Sequence, residues 1–349
     1  MKRFSILILT LCLCLTGCGK QTTEATAQIF AMDTVMEVAA YGEHAEQAVK
    51  YTEKRIEELE NRLSRTKADS LVSGLNRDGS IRHLTYDYWN LIARAKEYRD
   101  ATNGAFDITI APVMDAWGFT GDSFRVPEQS ELDTLLKKVN SDAIQMLGSP
   151  SDSVTLGEGQ AIDLGGIAKG YTSDLVEQTF RANGIESGKI SLGGNVFVLG
   201  GKPDGSDWRV GIKDPRNESG LAAILSLRDA YAITSGGYER YFEENGKTYH
   251  HIIDPSTGYP ADSGLLSVTV VAADNGPDWA GAGNGAMCDA FSTALFVMGE
   301  EQALDFWRNG GYDFDLVLVT EDGRVVITAG LADRFEEVKD SGYTYETVS

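Results

Sequence analysis

Cysteine is scarce in this chain, with four in 349 residues, and three of them (Cys12, Cys14 and Cys18) stand among the first 18 positions. Only Cys288 is left for the rest, which excludes an internal disulfide framework and makes the fold depend on its core. Positive charge is also short: 31 Lys and Arg face 52 Asp and Glu, a formal net charge of −21. That balance argues against nucleic acid or anionic lipid surfaces as partners. After the N-terminus no apolar run is long enough to span a membrane. No period-locked repeat and no internal linker divide the chain, so one large domain or two intimately packed halves are expected.

What the N-terminus does have is a basic pair, Lys2 and Arg3, an apolar stretch from Phe4 to Leu15, and then Leu15-Thr16-Gly17-Cys18. The apolar stretch is shorter than the roughly 20 residues of a membrane span. A cysteine straight after Leu-x-Gly resembles the bacterial lipobox, in which the cysteine is acylated after cleavage. Residues 1–17 therefore read as a lipoprotein signal, Cys18 as the lipidation site, and 18–27 as a polar tether. The folded domain is expected over 28–345, anchored to the extracytoplasmic face of the membrane by lipid alone.

The most informative internal stretch is Asp163-Leu164-Gly165-Gly166-Ile167-Ala168-Lys169-Gly170. Its glycines permit positive φ or a close backbone approach, and Lys169 adds positive charge at a helix start, where free N–H groups favour anions. It fits neither G-x-x-x-x-G-K-[ST] nor G-x-G-x-x-G. The residues alone leave two readings open, a site for a phosphate-bearing ligand and a tight strand-to-helix connection with a solvated lysine. An acidic protein that holds a polyanion needs a local cation, and Mg²⁺ on carboxylate and carbonyl oxygens would serve.

A second constellation is Asp289 and Thr293, four residues apart on an apolar helix and therefore on one face. Carboxylate and hydroxyl are hard ligands suited to Mg²⁺ or Ca²⁺ and unsuited to zinc. The competing reading makes Asp289 an N-cap and Thr293 a partner of its i−4 carbonyl. A third is Thr248 to Pro260, which carries His250-His251 into an Asp254-Pro255-Ser256-Thr257-Gly258 turn. A histidine at a strand end suits a general base, whereas an exposed His pair beside an Asx-turn is the plain alternative.

Strands are expected at Ile29–Val38, Gln160–Leu164, Lys189–Leu192, Asn195–Leu199, Trp208–Ile212, Tyr231–Thr234, Thr248–Ile253, Leu265–Ala272, Leu316–Thr320 and Arg324–Thr328. Helices are expected near Glu43–Leu63, Asp87–Ala101, Ala168–Asn183, Met287–Met298 and Glu301–Asn309. Strands grouped with helices between the groups indicate an α+β fold with mixed or antiparallel sheets and flanking helices.

In order along the chain, Met32-Asp33-Thr34, Gly104-Ala105-Phe106-Asp107, Asp163 to Gly170, Gly193-Gly194-Asn195, His251 to Pro255 with Gly258, and Asp289-Ala290-x-Ser292-Thr293-Ala294 resemble the ApbE family of flavin transferases, often lipoproteins. The resemblance covers about residues 28–345 and implies an ApbE-like fold and Mg²⁺-dependent transfer of FMN from FAD to a Thr or Ser hydroxyl, releasing AMP. It implies metal ligation by the Gly166 carbonyl, Asp289 and Thr293, and contact with FAD from Met32, Ala105, Phe106, Asp107, Asp163, Lys169 and Ile253. His251 matches the family histidine proposed to deprotonate the acceptor, and the acceptor would carry a D-x-x-[ST]-G-A-[ST] motif. The chain departs from the family at Thr66, at or near a position where many transferases have an aromatic over the flavin. Relatives without that aromatic are associated with FAD hydrolysis to FMN and AMP, an alternative reading. A flavin-binding lipoprotein without turnover is a further one, although a binder has little need of a metal beside a pyrophosphate.

Overall fold

The computed structural model describes residues 23–121, 123–148, 152–276 and 283–349. Cys18 and the signal segment lie outside the described residues. Among the described residues nine strands make the main sheet, in the spatial order Glu24–Ala31, Thr34–Tyr41, Ser187–Leu192, Asn195–Leu199, Ala230–Gly236, Leu265–Ala273, Asp315–Thr320, Arg324–Thr328 and Thr344–Val348. Neighbours are antiparallel except the last two strands, which run parallel. The fold is thus α+β with a mixed sheet.

Strand periodicity sends alternate side chains to two different cores. Tyr231, Ile233, Val270, Leu316 and Leu318 pack with the helices Ala45–Leu63, Ala168–Ala182 and Asn284–Asn309. Ala230, Ala232, Val271, Val317 and Val319 point the other way, to a second core with Trp208, Ile212 and Leu225. These last come from a three-stranded sheet of Trp208–Asp214, Asn217–Leu227 and Phe335–Glu337. Burial on both faces explains why Leu316 to Val319 is an unbroken apolar run. Asn284–Asn309 is two helices joined at Gly299, whose φ of 78° interrupts the helical backbone between the two expected segments.

Four expectations are corrected. Ile29–Val38 is not one strand but a hairpin that turns at Met32 and Asp33, with φ of 50° and 59°. A two-residue hairpin loop demands positive φ, and two non-glycine residues supply it at a cost of about 1 kcal/mol each. The folded domain begins at Glu24 instead of Gln28, because residues 24–27 already pair with Val38 to Tyr41, and it runs on to Val348. Gln160–Leu164 is irregular: the Asn76 amide takes both the N–H and the C=O of Ile162, at 2.7 and 2.9 Å, in the place of a neighbouring strand. The strand expected at Thr248–Ile253 ends at His250, after which Asp254 N–H bonds to the Tyr259 carbonyl and closes the turn.

Candidate functional site

The loop Asp163–Ile167 is fastened from outside. Asp163 donates its N–H to the Ile108 carbonyl at 2.7 Å, and its carboxylate accepts from Gly165 N–H at 2.7 Å and from Arg65 Nη1 at 3.1 Å. Arg65 also reaches Thr120 Oγ1 at 2.9 Å and Asp115 at 2.8 Å. Nothing local in the sequence marks Arg65, a single arginine after a helix whose side-chain partners lie 46 to 98 residues away. Thr66, next to it, is exposed and bonds back to Ser64.

Gly165 and Gly166 do not adopt positive φ. What Gly166 provides is proximity: a Cβ there would lie 3.2 Å from Phe106 Cε2 and 3.3 Å from Thr293 Oγ1. The same principle governs Gly170, where a Cβ would stand 2.1 Å from the Gly285 carbonyl oxygen and 2.6 Å from Asp289 Cβ. Two helices therefore cross in backbone contact. Gly170 N–H donates to Asp289 Oδ2 at 2.8 Å, joining residues 119 apart in sequence. A free N–H at the start of Ala168–Ala182 thus meets a carboxylate of the protein itself, the anion such a helix end favours.

The crossing is held from a second point. Asp174 accepts from the N–H groups of Gly283, Gly285 and Ala286 at 2.9, 2.7 and 3.0 Å, capping the long helix from its neighbour. Burial raises its carboxyl to about 7 against the pull of those donors. Substituting Gly170→Ala is expected to force the helices apart and remove about 3 kcal/mol of stability, within the range of core overpacking. Urea denaturation reads this directly, and an unaltered midpoint would refute the close crossing.

Asp289 is 3% exposed and lies inside the helix that begins at Asn284, so the N-cap reading does not hold. Burial raises its pKa, opposed by the charge of Lys169, by Gly170 N–H and by the amide of Asn195. Thr293 Oγ1 lies 3.2 Å from Ser235 Oγ, which is 2.8 Å from Ser292 Oγ. It is Ser292 that bonds back into its own helix, donating to the Asp289 carbonyl at 2.9 Å.

His251 Nδ1 sits 3.1 Å from the Arg240 carbonyl oxygen. A carbonyl only accepts, so Nδ1 carries the proton and Nε2 keeps its lone pair. Burial, with the charge of Lys169 close by, lowers the imidazole to about 4. His250 is used structurally, through the Ala261 carbonyl at 3.1 Å and an edge-on contact with Phe296.

Of the other expected residues, Met32 lies at the strained turn, its N–H 3.2 Å from Glu60 Oε1 and its sulfur 3.9 Å from Thr172 Oγ1. Phe106 is buried against Gly166 and Ala105 is partly buried beside the main core. Asp107 turns inward: its carboxylate accepts from Thr109 N–H, Thr109 Oγ1, Ser141 N–H and Ser141 Oγ at 2.5 to 3.1 Å. Ile253 is buried with Val113, Trp117, Phe119 and Leu132. Gly166, Lys169, Asp289, Thr293 and His251 thus form one neighbourhood, and Asp163 flanks it on the same loop.

The sequence matches the ApbE family over residues 32–316. It is 31% identical over 307 residues to the FAD:protein FMN transferase of Treponema pallidum, covering 83% of this chain and 82% of that one. It is 33% identical to the protein of the same name from Klebsiella pneumoniae, covering 82% and 86%. The crystal structure of the ApbE protein of Thermotoga maritima matches with a TM-score of 0.78 at 30% identity, over 91% of this chain and 97% of that one. The apo form of the flavinyl transferase ApbE of Pseudomonas stutzeri matches with a TM-score of 0.73 at 26% identity, over 91% and 95%. A match that runs through every loop and helix building this neighbourhood, with relatives alike over most of their length, makes the chain a member of the ApbE family.

Proposed function

We propose that this protein is an FAD:protein FMN transferase, which moves FMN from FAD to a Thr or Ser hydroxyl of a target protein and releases AMP. Relatives of that name support the reading. The observation that carries it is the meeting of Gly166, Asp289 and Thr293 beside Lys169 and His251.

The donor set fits Mg²⁺: one carboxylate, one hydroxyl and one backbone carbonyl, all hard oxygens. Among the described residues no group of three or more His, Cys, Asp or Glu side chains suits a metal. A cation here would therefore rely on the single carboxylate of Asp289, with substrate phosphate oxygens as further ligands. When bound, Mg²⁺ neutralises pyrophosphate charge and the charge that develops on departing AMP. Lys169 adds a second positive charge to the same neighbourhood. His251 Nε2 takes the proton of the acceptor hydroxyl as its oxygen bonds to the FMN phosphorus. The bond from that phosphorus to the oxygen shared with AMP breaks, and AMP leaves with the electron pair.

Met32, Ala105, Phe106, Asp163 and Ile253 form the FAD walls in this reading. Asp107, with its oxygens already engaged, shapes the loop that presents Ala105 and Phe106. Cys18 carries the lipid, holding the enzyme at the extracytoplasmic face of the membrane, where it modifies redox subunits bearing a D-x-x-[ST]-G-A-[ST] motif. No helix among the described residues is long and apolar enough to cross a membrane. Purified protein with FAD, Mg²⁺ and such an acceptor is expected to yield a covalently fluorescent acceptor band, and its absence would sink the proposal. A second reading, hydrolysis of FAD to FMN and AMP, is favoured by the exposed Thr66 where an aromatic would cover the flavin. AMP release without any acceptor protein supports it.

A further inference from the structure

Asn195 opens the strand Asn195–Leu199 and is fully buried, yet among the described residues no group meets its side-chain nitrogen or oxygen in full hydrogen-bond geometry. Buried amides are nearly always paired, and leaving one unpaired costs free energy that an apolar residue of the same size would not incur. The backbone gives Asn195 little room to escape. It follows a two-residue turn with Gly193 at φ of 59° and Gly194 at 98°, and a Cβ on Gly193 would stand 2.2 Å from Thr34 Oγ1. Its pairing with Ile233 places it on the helix-facing side of the sheet. The group it meets there is the Asp289 carboxylate, whose charged form the amide favours.

We propose that Asn195 is a positioning residue for the cation site: its amide orients the Asp289 carboxylate as a cation ligand, and cation affinity depends on it. This rests on the metal reading above. The Asp289 carboxylate accepts from Gly170 N–H at 2.8 Å on one side and meets the Asn195 amide on another, so the two together set how it faces the cation site. A cation that draws on the same carboxylate would find it already oriented by the Asn195 amide. Such outer partners orient a ligand and typically govern 10- to 100-fold in affinity.

Mn²⁺ alone, titrated into the full-length protein and read by electron paramagnetic resonance, tests this without any turnover. N195L is expected to bind Mn²⁺ about 10- to 100-fold more weakly than wild type, while its melting temperature without metal stays at or above the wild-type value. N195A, which introduces no bulk, provides the same binding readout should N195L fail to fold. Unchanged Mn²⁺ binding in both variants overturns the role of Asn195 alone. A weakened N195L whose metal-free melting temperature also falls by several degrees overturns it in favour of a structural role. If wild type binds no Mn²⁺, or D289A binds it as wild type does, the metal reading falls and this inference with it.

Discussion

Asp289→Ala is expected to lower FMN transfer by about 10³-fold or more, some 4 kcal/mol of transition-state stabilisation. The reason is local: in an acidic chain this is the one carboxylate among the proposed cation ligands, and without it the pyrophosphate meets the site with Lys169 as the remaining nearby positive charge. Alanine also strands the Gly170 N–H, so Asp289→Asn separates chemistry from folding by keeping an acceptor and removing the charge. The sign of its effect on stability follows from burial. The folded pKa of Asp289 is raised above the unfolded value, so its contribution to stability is greatest below the unfolded pKa and is lost as pH rises through the folded one. At neutral pH the metal-free carboxylate is a burden. Asp289→Asn is therefore expected to melt at or above wild type without metal, to gain nothing from added Mg²⁺, and to be inactive. Wild-type rates of acceptor labelling in either variant would dismiss the assigned role.

Much of this arrangement was legible in the sequence for reasons that differ between its parts. The helix spacing of Asp289 and Thr293 and the glycines of Asp163–Gly170 are local patterns, and local patterns survive folding: both segments have the expected form. The family resemblance supplied what spacing alone left open, that these two stretches belong together. The hairpin at Met32-Asp33 was illegible because its positive φ values fall on residues that seldom adopt them, held by Glu60 and by the fit of Thr34 against Gly193. Gln160–Leu164 looked like a strand because its apolar residues are buried, yet a side chain, Asn76, satisfies its backbone. Arg65 and Asp174 escaped notice for a common reason. Each acts on groups about 50 to 112 residues away, and no pattern around either records that distance.

His251→Ala is expected to lower transfer by 10²- to 10⁴-fold, the usual range for a positioned general base, while FAD still binds. Geometry supports the role, and the depressed pKa leaves the imidazole neutral but weakly basic at working pH. The Arg240 carbonyl fixes the tautomer with a lone pair on Nε2, and a pKa lowered to about 4 keeps that lone pair free throughout the neutral range. A histidine of ordinary pKa would lose activity as pH falls through about 6.5. Here kcat/KM for FAD is expected to stay level from pH 7.5 to 5.5 as far as His251 is concerned, with its acid limb near pH 4. The same depression has a consequence for folding. Between about 6.5 and about 4 the unfolded chain binds a proton at this site that the folded chain refuses, so stability is complete above that window and is lost as pH falls through it. His251→Ala should flatten that part of the stability profile, which denaturant titrations at pH 7 and pH 5 will detect. An acid limb centred near 6.5, or undiminished transfer by the alanine variant, would remove His251 from the mechanism. Transfer lost with acceptor-free AMP release retained would assign the imidazole to the acceptor hydroxyl specifically, with water needing no such base.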